Sequence, residues 1–328
     1  MLKTSIVAVA KATRGVSSFF VTALNRFARQ PAPLVRPIFT AQPKIGIALG
    51  GGFARGIAHA GLLKVFEQHQ IPIHCITGVS AGAIVAAAYA SGASPEEIAR
   101  AGCSMRFTDI GRWSLGWMGF AASERMKNFL ERLLKSNRFE EMPLPLGVVA
   151  TDLASGEPVA FHGEGDVVVP IRASCAYPGL FHPVKHQGRL LVDGAMSVEV
   201  PARLARQLGA THVISVHVPN CDGPLPRNVF QVVNRCFQIL HRRTEESWRK
   251  ESDLVVVLDV GKVEWDGFAC APDLIRAGEA AALAVLPTIQ EWLRRYPEAP
   301  PALTPDSKPA SLSRSVRQSS FAEVTGHK

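Results

Sequence analysis

The chain has 328 residues, of which 47% are hydrophobic and 20% are charged, and it carries a formal net charge of +8. This length and apolar fraction suit one large globular domain or two small ones, and they exclude wholesale disorder. No run of 18 or more uninterrupted apolar residues occurs, so no transmembrane helix is expected. The six cysteines form no C-x-x-C pair, which favours reduced, mostly buried thiols without metal-binding or disulfide roles.

The positive charge lies almost entirely at the beginning of the chain. Residues 1–44 contain seven Lys or Arg and no Asp or Glu, so residues 45–328 are close to electrically neutral. A basic groove for nucleic acid on the folded part is therefore disfavoured, and no nucleic-acid partner is expected.

Residues 1–44 divide into a basic segment, 1–30, and a Pro-rich linker, 31–43. Apolar side chains recur at helical spacing through the basic segment, with basic side chains on its other side. Three interpretations stay open for it: an amphipathic anchor on an anionic membrane surface, a targeting leader, or a flexible extension. The expected location is the cytoplasm, with peripheral membrane association if the anchor interpretation is right.

From Ile45 onward, strands alternate with helices, which predicts an α/β domain over residues 45–297 with a mainly parallel sheet covered by helices. The predicted strands are Ile45–Leu49, Ile73–Thr77, Leu146–Thr151, Pro158–Phe161, Arg189–Val192, His212–Val218 and Leu254–Asp259. The predicted helices are Ala58–His69, Ala81–Ser91, Pro95–Ala101, Ala122–Ser136, Val167–Ala173, Pro201–Leu208, Asn228–Trp248 and Pro272–Arg295. Residues 298–328 are rich in Pro and Ser and lack periodicity, which predicts a disordered tail.

One apolar stretch, Met105–Phe120, has no regular periodicity and is predicted to be irregular. It contains Trp113, Trp117 and Met118. Two interpretations stay open for it: a face through which a lipid enters, or ordinary core packing of aromatic side chains.

Two glycine-rich turns follow the first two predicted strands. The first is Gly50-Gly51-Gly52, and the second holds Ser80 between Gly78 and Gly82. Strand, sharp turn and helix around Ser80 form the context that a nucleophile elbow requires, and the glycines leave room for the turn. Because both turns project from strand ends of one sheet, the glycine loop can donate backbone N–H groups to an oxyanion formed when Ser80 attacks a carbonyl. A phosphate-binding P-loop is disfavoured because no lysine follows.

Asp193 is the best candidate for the base that accepts the serine proton. It follows an apolar strand and precedes Gly194, at a strand end where open α/β sheets gather ligands, although an ordinary Asp-Gly turn is an equal alternative from spacing alone. The histidines after Ser80 have no convincing loop setting, so a Ser–His–Asp triad lacks its base. His59 is expected to make a structural hydrogen bond, and Asp152 is expected to be a turn residue.

Four segments, in this order along the chain, resemble the patatin-like phospholipase family in its bacterial single-domain form. They are Gly50–Gly61 (GGGFARGIAHAG), Gly78–Gly82 (GVSAG), Ala173–Pro178 (ASCAYP) and Asp193–Ala195 (DGA). A weaker fifth likeness lies at Ala150–Gly156. The resemblance spans Ile45 to Val218, with weaker likeness as far as Arg295.

The resemblance implies a three-layer α/β/α fold and a serine lipid acyl hydrolase that uses a Ser–Asp dyad. In such an enzyme Ser80 is the nucleophile, Asp193 is its base, and neither a metal nor an organic cofactor is needed. The residues that the resemblance assigns to the oxyanion hole are Gly50, Gly51, Gly52 and Arg55. Phe53 departs from the family pattern, since many bacterial relatives have a fourth glycine there.

The substrate class implied by the family is a phospholipid, a lysophospholipid or another acyl ester. Two rival functions stay open: a general carboxylesterase or thioesterase acting on soluble esters, and a non-hydrolytic lipid-binding or regulatory module that keeps the fold. The intact Ser80, Asp193 and glycine loop argue against the binding module, which needs none of them. The sequence further predicts that Asp193 is shielded from water and lies within hydrogen-bond reach of Ser80 Oγ, because burial would make its carboxylate a stronger base.

Overall fold

The apolar runs that the sequence predicts as strands form the middle of an α/β structure. The computed structural model describes residues 43–295, except 117–118, 220–224 and 265, and these residues lie in one compact unit. The basic segment 1–30 and the predicted tail 298–328 fall outside the described residues. None of the described helices has a stretch that is both long and apolar enough to cross a membrane.

The secondary structure alternates between strands and helices for most of its length. The strands are Ile45–Leu49 (β1), Ile73–Val79 (β2), Arg112–Gly116 (β3), Gly119–Ala122 (β4), Leu146–Asp152 (β5), Pro158–His162 (β6), Gly179–Phe181 (β7), Val184–His186 (β8), Arg189–Asp193 (β9), His212–His217 (β10) and Leu254–Val257 (β11). The α-helices are Ala58–Gln68 (α1), Ala81–Ala90 (α2), Pro95–Ser104 (α3), Phe107–Ile110 (α4), Glu124–Leu133 (α5), Val168–Ser174 (α6), Ala202–Gln207 (α7), Val229–Arg249 (α8) and Ala271–Arg295 (α9).

The main sheet has the strand order β11-β10-β1-β2-β5-β9-β8, and β6 also pairs with β5. In this order, the five strands from β11 to β5 pair with one another in parallel. By contrast, β6 and β9 pair antiparallel with β5, and β8 pairs antiparallel with β9. Leu49, the last residue of β1, is in register with Gly78 of β2 and with Val216 of β10. The ends of β1 and β2, and the turns that follow them, therefore lie next to each other. The prediction of a mainly parallel sheet is confirmed.

Helices cover both faces of this sheet. Alternate residues of β1 point to opposite sides, with Ile47 and Leu49 in the larger core and Ala48 in a smaller one. The larger core includes residues of α1, α2 and α9, and the smaller one includes Ala205 of α7 and Trp248 of α8. This arrangement is the three-layer α/β/α fold that the resemblance implies.

The stretch Met105–Phe120, predicted to be irregular, is instead partly regular, and that prediction is wrong. It contains α4 and the antiparallel pair β3 and β4, and β4 pairs with β7 in a second, three-stranded sheet. Ala122 belongs to β4, so the predicted helix over Ala122–Ser136 begins only at Glu124 and ends at Leu133. The three-residue strands β7 and β8 were not predicted, because such short strands show no readable alternation.

Two helices pack unusually closely through glycine. Gly278 of α9 lies against the backbone of Ala58 in α1, and Gly61 of α1 lies against the backbone of Ile275 in α9. A Cβ atom at either glycine would overlap a carbonyl oxygen of the facing helix. Backbone-to-backbone contact at this helix pair thus depends on the missing side chains.

Replacing Gly278 with alanine should lower the free energy of unfolding by about 2 kcal/mol or more, because overpacking forces the two helices apart. Denaturant unfolding followed by circular dichroism measures this difference. The matched control is Ala284→Ser, which adds one atom on an exposed position of the same helix. Equal stability of Gly278→Ala and the wild type would show that α9 adjusts to the added methyl group at no cost.

Candidate active site

Ser80 lies in a strained turn between β2 and α2. Its backbone has φ 53° and ψ −126°, a region that non-glycine residues occupy at a cost of about 1–3 kcal/mol. Gly78 and Gly82 make the turn sterically possible. A Cβ atom at Gly78 would overlap the backbone of Gly82, and one at Gly82 would overlap the carbonyl oxygens of Leu49 and Gly50. The turn is therefore pressed directly against the end of β1.

Ser80 and Asp193 are joined by a short hydrogen bond. Ser80 Oγ donates to Asp193 Oδ2 at 2.7 Å, although 113 residues separate them in the chain. Ser80 is 7% exposed and Asp193 is 1% exposed. The contact and the burial are those that the sequence predicts for this pair.

The Asp193 carboxylate is held at both oxygens. The second oxygen, Oδ1, accepts a hydrogen bond from the Ala195 N–H at 2.9 Å. The backbone on either side is fixed as well, since the Asp193 N–H donates to the Ala176 carbonyl and its own carbonyl accepts from Thr151 Oγ1. The carboxylate therefore cannot rotate away from Ser80 without breaking contacts.

Burial raises the pKa of the Asp193 carboxyl from its ordinary value of 3.8 to about 7. The hydrogen bonds from Ala195 and Ser80 act in the opposite direction and are outweighed. A carboxyl group with this pKa can accept and return a proton near neutral pH.

Ser174, at the end of α6, supports the serine turn from behind. Its hydroxyl accepts the Ser80 N–H at 2.8 Å and donates to the Val149 carbonyl at 2.6 Å. It is completely buried. Ser174 thus connects the turn to β5, and the sequence predicted no role for it although it lies within the ASCAYP segment.

Gly51 and Gly52 of the glycine loop line the same cavity as Ser80. A Cβ atom at Gly51 would lie 3.3 Å from Ser80 Cβ, so the loop backbone is in contact with the serine side chain. Among the described residues, the N–H groups of Gly51 and Gly52 find no hydrogen-bond acceptor. The N–H of Gly50 donates to the Val216 carbonyl at 2.9 Å, so the expectation that Gly50 contributes an oxyanion donor is not met.

Arg55 and His59 both form hydrogen bonds with carbonyls of the glycine loop. Arg55 is buried, and its guanidinium donates to the carbonyls of Gly52 and Pro219 at 3.4 and 3.0 Å. His59 Nε2 lies 2.9 Å from the Gly50 carbonyl oxygen, to which it donates. Burial lowers the pKa of His59 to about 4, despite this hydrogen bond, so the imidazole is neutral. The structural hydrogen bond predicted for His59 is confirmed.

Asp152 is also a turn residue, as predicted. Its side chain accepts the N–H of Ala154 at 2.9 Å, and its carbonyl accepts the N–H of Gly156. It contributes nothing to the contact between Ser80 and Asp193.

Two cavities meet at Ser80. One has a polar edge that contains Asn234, Gln238 and His241 of α8. The other is almost entirely apolar, and its lining includes Ile84 of α2. Other apolar side chains around this second cavity are Ile57, Val85, Met105, Ile110, Met126 and Phe181.

Phe53 lines both cavities and stands between them. Its backbone has φ 53°, a conformation that glycine adopts without strain and that other residues rarely adopt. Its ring packs edge-on against Tyr177, with 5.8 Å between the ring centroids. The departure from the family pattern therefore adds an aromatic side chain between the two cavities.

A buried polar network borders the polar cavity. Glu199 accepts hydrogen bonds from His217 Nε2 at 3.1 Å and Trp248 Nε1 at 3.2 Å, and His241 Nδ1 lies 3.7 Å away. Burial alone would raise the pKa of Glu199, but the hydrogen bond and charge of His217, with smaller effects of His241 and Trp248, bring it below its ordinary value. His241 Nε2 also donates to the Ala195 carbonyl at 2.8 Å, so the network reaches the peptide that orients Asp193.

Residues 47–206 match the family model described as patatin-like phospholipase. An uncharacterized NTE family protein of Mycobacterium tuberculosis is 33% identical over 199 residues, 59% of this chain and 55% of that protein. Lysophospholipase NTE1 of Mycosarcoma maydis is 27% identical over 266 residues, 74% of this chain and 14% of that protein. The crystal structure of VipD from Legionella pneumophila has a TM-score of 0.44 and 12% identity, covering 76% of this chain and 67% of that chain.

A mainly parallel sheet with a serine in a strained turn between a strand and a helix is the setting of a nucleophile elbow. Through residues 47–206, the chain belongs to the patatin-like phospholipase family, a family of carboxylic ester hydrolases. The chain spans about half the length of the mycobacterial relatives and about one seventh of the fungal one.

Replacing Asp193 with asparagine should stabilise the protein, and more so at high pH. Between pH 3.8 and 7 the folded state keeps a proton on Asp193 that the unfolded chain loses, so wild-type stability falls as pH rises through this range. The stability of Asp193→Asn relative to the wild type should therefore increase by about 3 kcal/mol from pH 5 to pH 8.5.

Denaturant unfolding at the two pH values measures this difference, and Asp152→Asn is the control because Asp152, at the end of β5, is only partly buried and takes no part in the contact between Ser80 and Asp193. A stability difference between Asp193→Asn and the wild type that does not change with pH would contradict the raised pKa of Asp193.

Proposed function

We propose that this chain is a serine lipid acyl hydrolase of phospholipase A or lysophospholipase type. The observation that carries the proposal is the 2.7 Å hydrogen bond from Ser80 Oγ to a buried carboxylate, next to a glycine loop in which two N–H groups find no acceptor within the described part of the chain. The family membership supports the same class of chemistry. The relatives named lysophospholipase support the lipid substrate.

In the proposed first step, Ser80 Oγ attacks the carbonyl carbon of the ester while its proton moves to Asp193 Oδ2. The carbonyl oxygen becomes an oxyanion, which the N–H groups of Gly51 and Gly52 stabilise. The tetrahedral intermediate then collapses, the bond from the carbonyl carbon to the alkoxy oxygen breaks, and Asp193 returns the proton to the departing alcohol. The acyl group remains bound to Ser80 as an ester.

In the proposed second step, water replaces the alcohol. Asp193 accepts a proton from the water, whose oxygen attacks the acyl carbonyl, and the same N–H groups stabilise the new oxyanion. Collapse of this intermediate releases a fatty acid, and the proton on Asp193 returns to Ser80. One carboxylate therefore serves as base and acid in turn, a cycle that its pKa near 7 favours.

The two cavities suit the two parts of such a substrate. The apolar cavity beside Ile84 and Phe181 matches an acyl chain, since its lining offers no hydrogen-bonding side chain apart from Ser80 and the weakly polar thiol of Cys175. The polar cavity, with Asn234, Gln238 and His241 at its edge, matches the alcohol portion with its head group. Ser80 lines both cavities, where the bond to be broken would lie.

Replacing either member of the dyad should abolish hydrolysis. Ser80→Ala lacks the nucleophile and Asp193→Asn lacks the base, so each should lower kcat/KM by about 10³-fold or more. Fatty-acid release from a medium-chain phospholipid in mixed micelles measures the effect. Asp152→Asn, a carboxylate outside the site, is the control that should keep wild-type activity.

The wild-type kcat/KM should also rise with pH through about 7, as Asp193 loses its proton. Hydrolysis of small monomeric esters without any on phospholipids would replace the lipid assignment with a general esterase. Turnover of neither substrate by the wild type would favour a non-hydrolytic binding module.

Filling the apolar cavity should shorten the preferred acyl chain. Ile84→Phe adds volume inside the cavity, so kcat/KM for long-chain esters should fall about tenfold relative to short-chain esters. A series of esters of increasing acyl length measures the shift. Leu283→Phe on the exposed side of α9 is the control, and an unchanged length preference of Ile84→Phe would remove this cavity as the acyl site.

A further inference from the structure

Helix α8 exposes an apolar stripe to solvent. Val229, Val232, Ile239 and Leu240 are each between 47% and 80% exposed. With 100° between successive residues of an α-helix, these four residues and the exposed Cys236 fall within a sector of about 100°. Exposed apolar side chains scattered singly are ordinary, but a continuous stripe along several turns of one helix indicates a binding surface.

The opposite side of the same helix lines the polar cavity. Asn234, Phe237, Gln238 and His241 face the cavity that contains Ser80. Their mean direction lies about 160° around the helix axis from that of the apolar stripe. The helix therefore separates the cavity from whatever covers the stripe. Among the described side chains of α8, Trp248 near its end is the first that is buried.

The charge beside the stripe is positive as far as Thr244, after which Glu245 and Glu246 pair with Arg249 and Lys250. The segment from Leu225 to Thr244 contains four arginines and no Asp or Glu. Arg243 falls within the sector of the stripe, Arg235 and Arg242 lie beside one edge of it, and Arg227 precedes the helix. An apolar stripe bordered by arginines is the pattern of helices that lie in the interface of an anionic membrane.

The charge argues against two other occupants. A second copy of the chain would bring its own arginines against these four. Residues 1–44 would bring seven basic residues and no acidic ones. Both arrangements place like charges together, whereas anionic lipid head groups neutralise the arginines while the acyl region accepts the apolar side chains.

We propose that the stripe formed by Val229, Val232, Cys236, Ile239 and Leu240 docks on the surface of an anionic phospholipid membrane. The proposal rests on the proposed function, because that surface is then the source of the ester. Docking through this face leaves a single helix between the lipid and the cavity that contains Ser80. The substrate therefore has to pass only the width of α8.

Vesicle sedimentation with the full chain tests the proposal. The probes are vesicles of phosphatidylcholine alone and vesicles that also contain phosphatidylglycerol. The double variant Ile239→Ser/Leu240→Ser should bind the anionic vesicles about tenfold more weakly than the wild type, because interfacial binding scales with buried apolar area. Arg243→Gln should bind about fivefold more weakly, with a smaller loss at high salt.

Two matched controls lie elsewhere on the surface. Leu283→Ser removes an equally exposed leucine from α9, and Lys262→Gln removes an exposed cation. Both should bind like the wild type. All variants should hydrolyse a monomeric short-chain ester at the wild-type rate, because none of the changed residues lines the cavity.

Vesicle binding that is equal in the wild type and the double variant would overturn the proposal and assign any membrane contact to another segment. A wild-type dimer in light scattering that the double variant dissociates would also overturn it, in favour of a second copy on this face. If the predicted binding losses are found but the wild type turns over neither the soluble ester nor a phospholipid in mixed micelles, the hydrolase function fails while the lipid-docking surface stands.

Discussion

The close contact between the serine turn and the end of β1 is the constraint on which the candidate site depends. Gly82 lies against the carbonyls of Leu49 and Gly50, so the turn that carries Ser80 is in direct backbone contact with the start of the glycine loop that follows β1. Any side chain at Gly82 would separate them. The parallel register of β1 and β2 brings the strand ends together, and the missing side chains allow the last few tenths of a nanometre of approach. The same backbone contact therefore determines both where Ser80 lies and where the glycine loop lies.

The same region concentrates unfavourable free energy. Ser80 and Phe53 both have positive φ angles, and Asp193 is buried without a cation among the contacts that determine its pKa. Each of these costs stability, and each is maintained by surrounding contacts: Ser174 holds the Ser80 N–H, and Ala195 holds the carboxylate. Strain that is compensated by neighbouring structure is characteristic of functional sites, because a relaxed serine or a solvated aspartate would be less reactive.

Local signals in the sequence were sufficient for the serine turn, because glycine spacing and strand ends are local features. For Asp193 they left an ordinary Asp-Gly turn as an equal alternative, and the family resemblance was needed to assign the base. Local signals failed where a contact depends on distant parts of the chain. The N–H of Gly50 is used by Val216 of β10, a pairing that no local pattern reveals. Glu199 and His241 are 42 residues apart and meet only through the fold. The second sheet likewise joins β4 to the three-residue strand β7, which is too short for periodicity to be read.

Helix α8 links the orientation of Asp193 to the exposed surface of the protein. His241, on its inner side, holds the Ala195 carbonyl, and the Ala195 N–H holds Asp193, so the helix is two hydrogen bonds away from the proposed base. Its outer side carries the exposed apolar stripe. A helix that buried its outer face against another part of the protein would need no arginines there, and one that faced only water would need no valine, isoleucine or leucine. The combination is explained when the outer face meets an interface that is apolar and anionic at once, and in that position the inner face keeps Asp193 oriented toward Ser80.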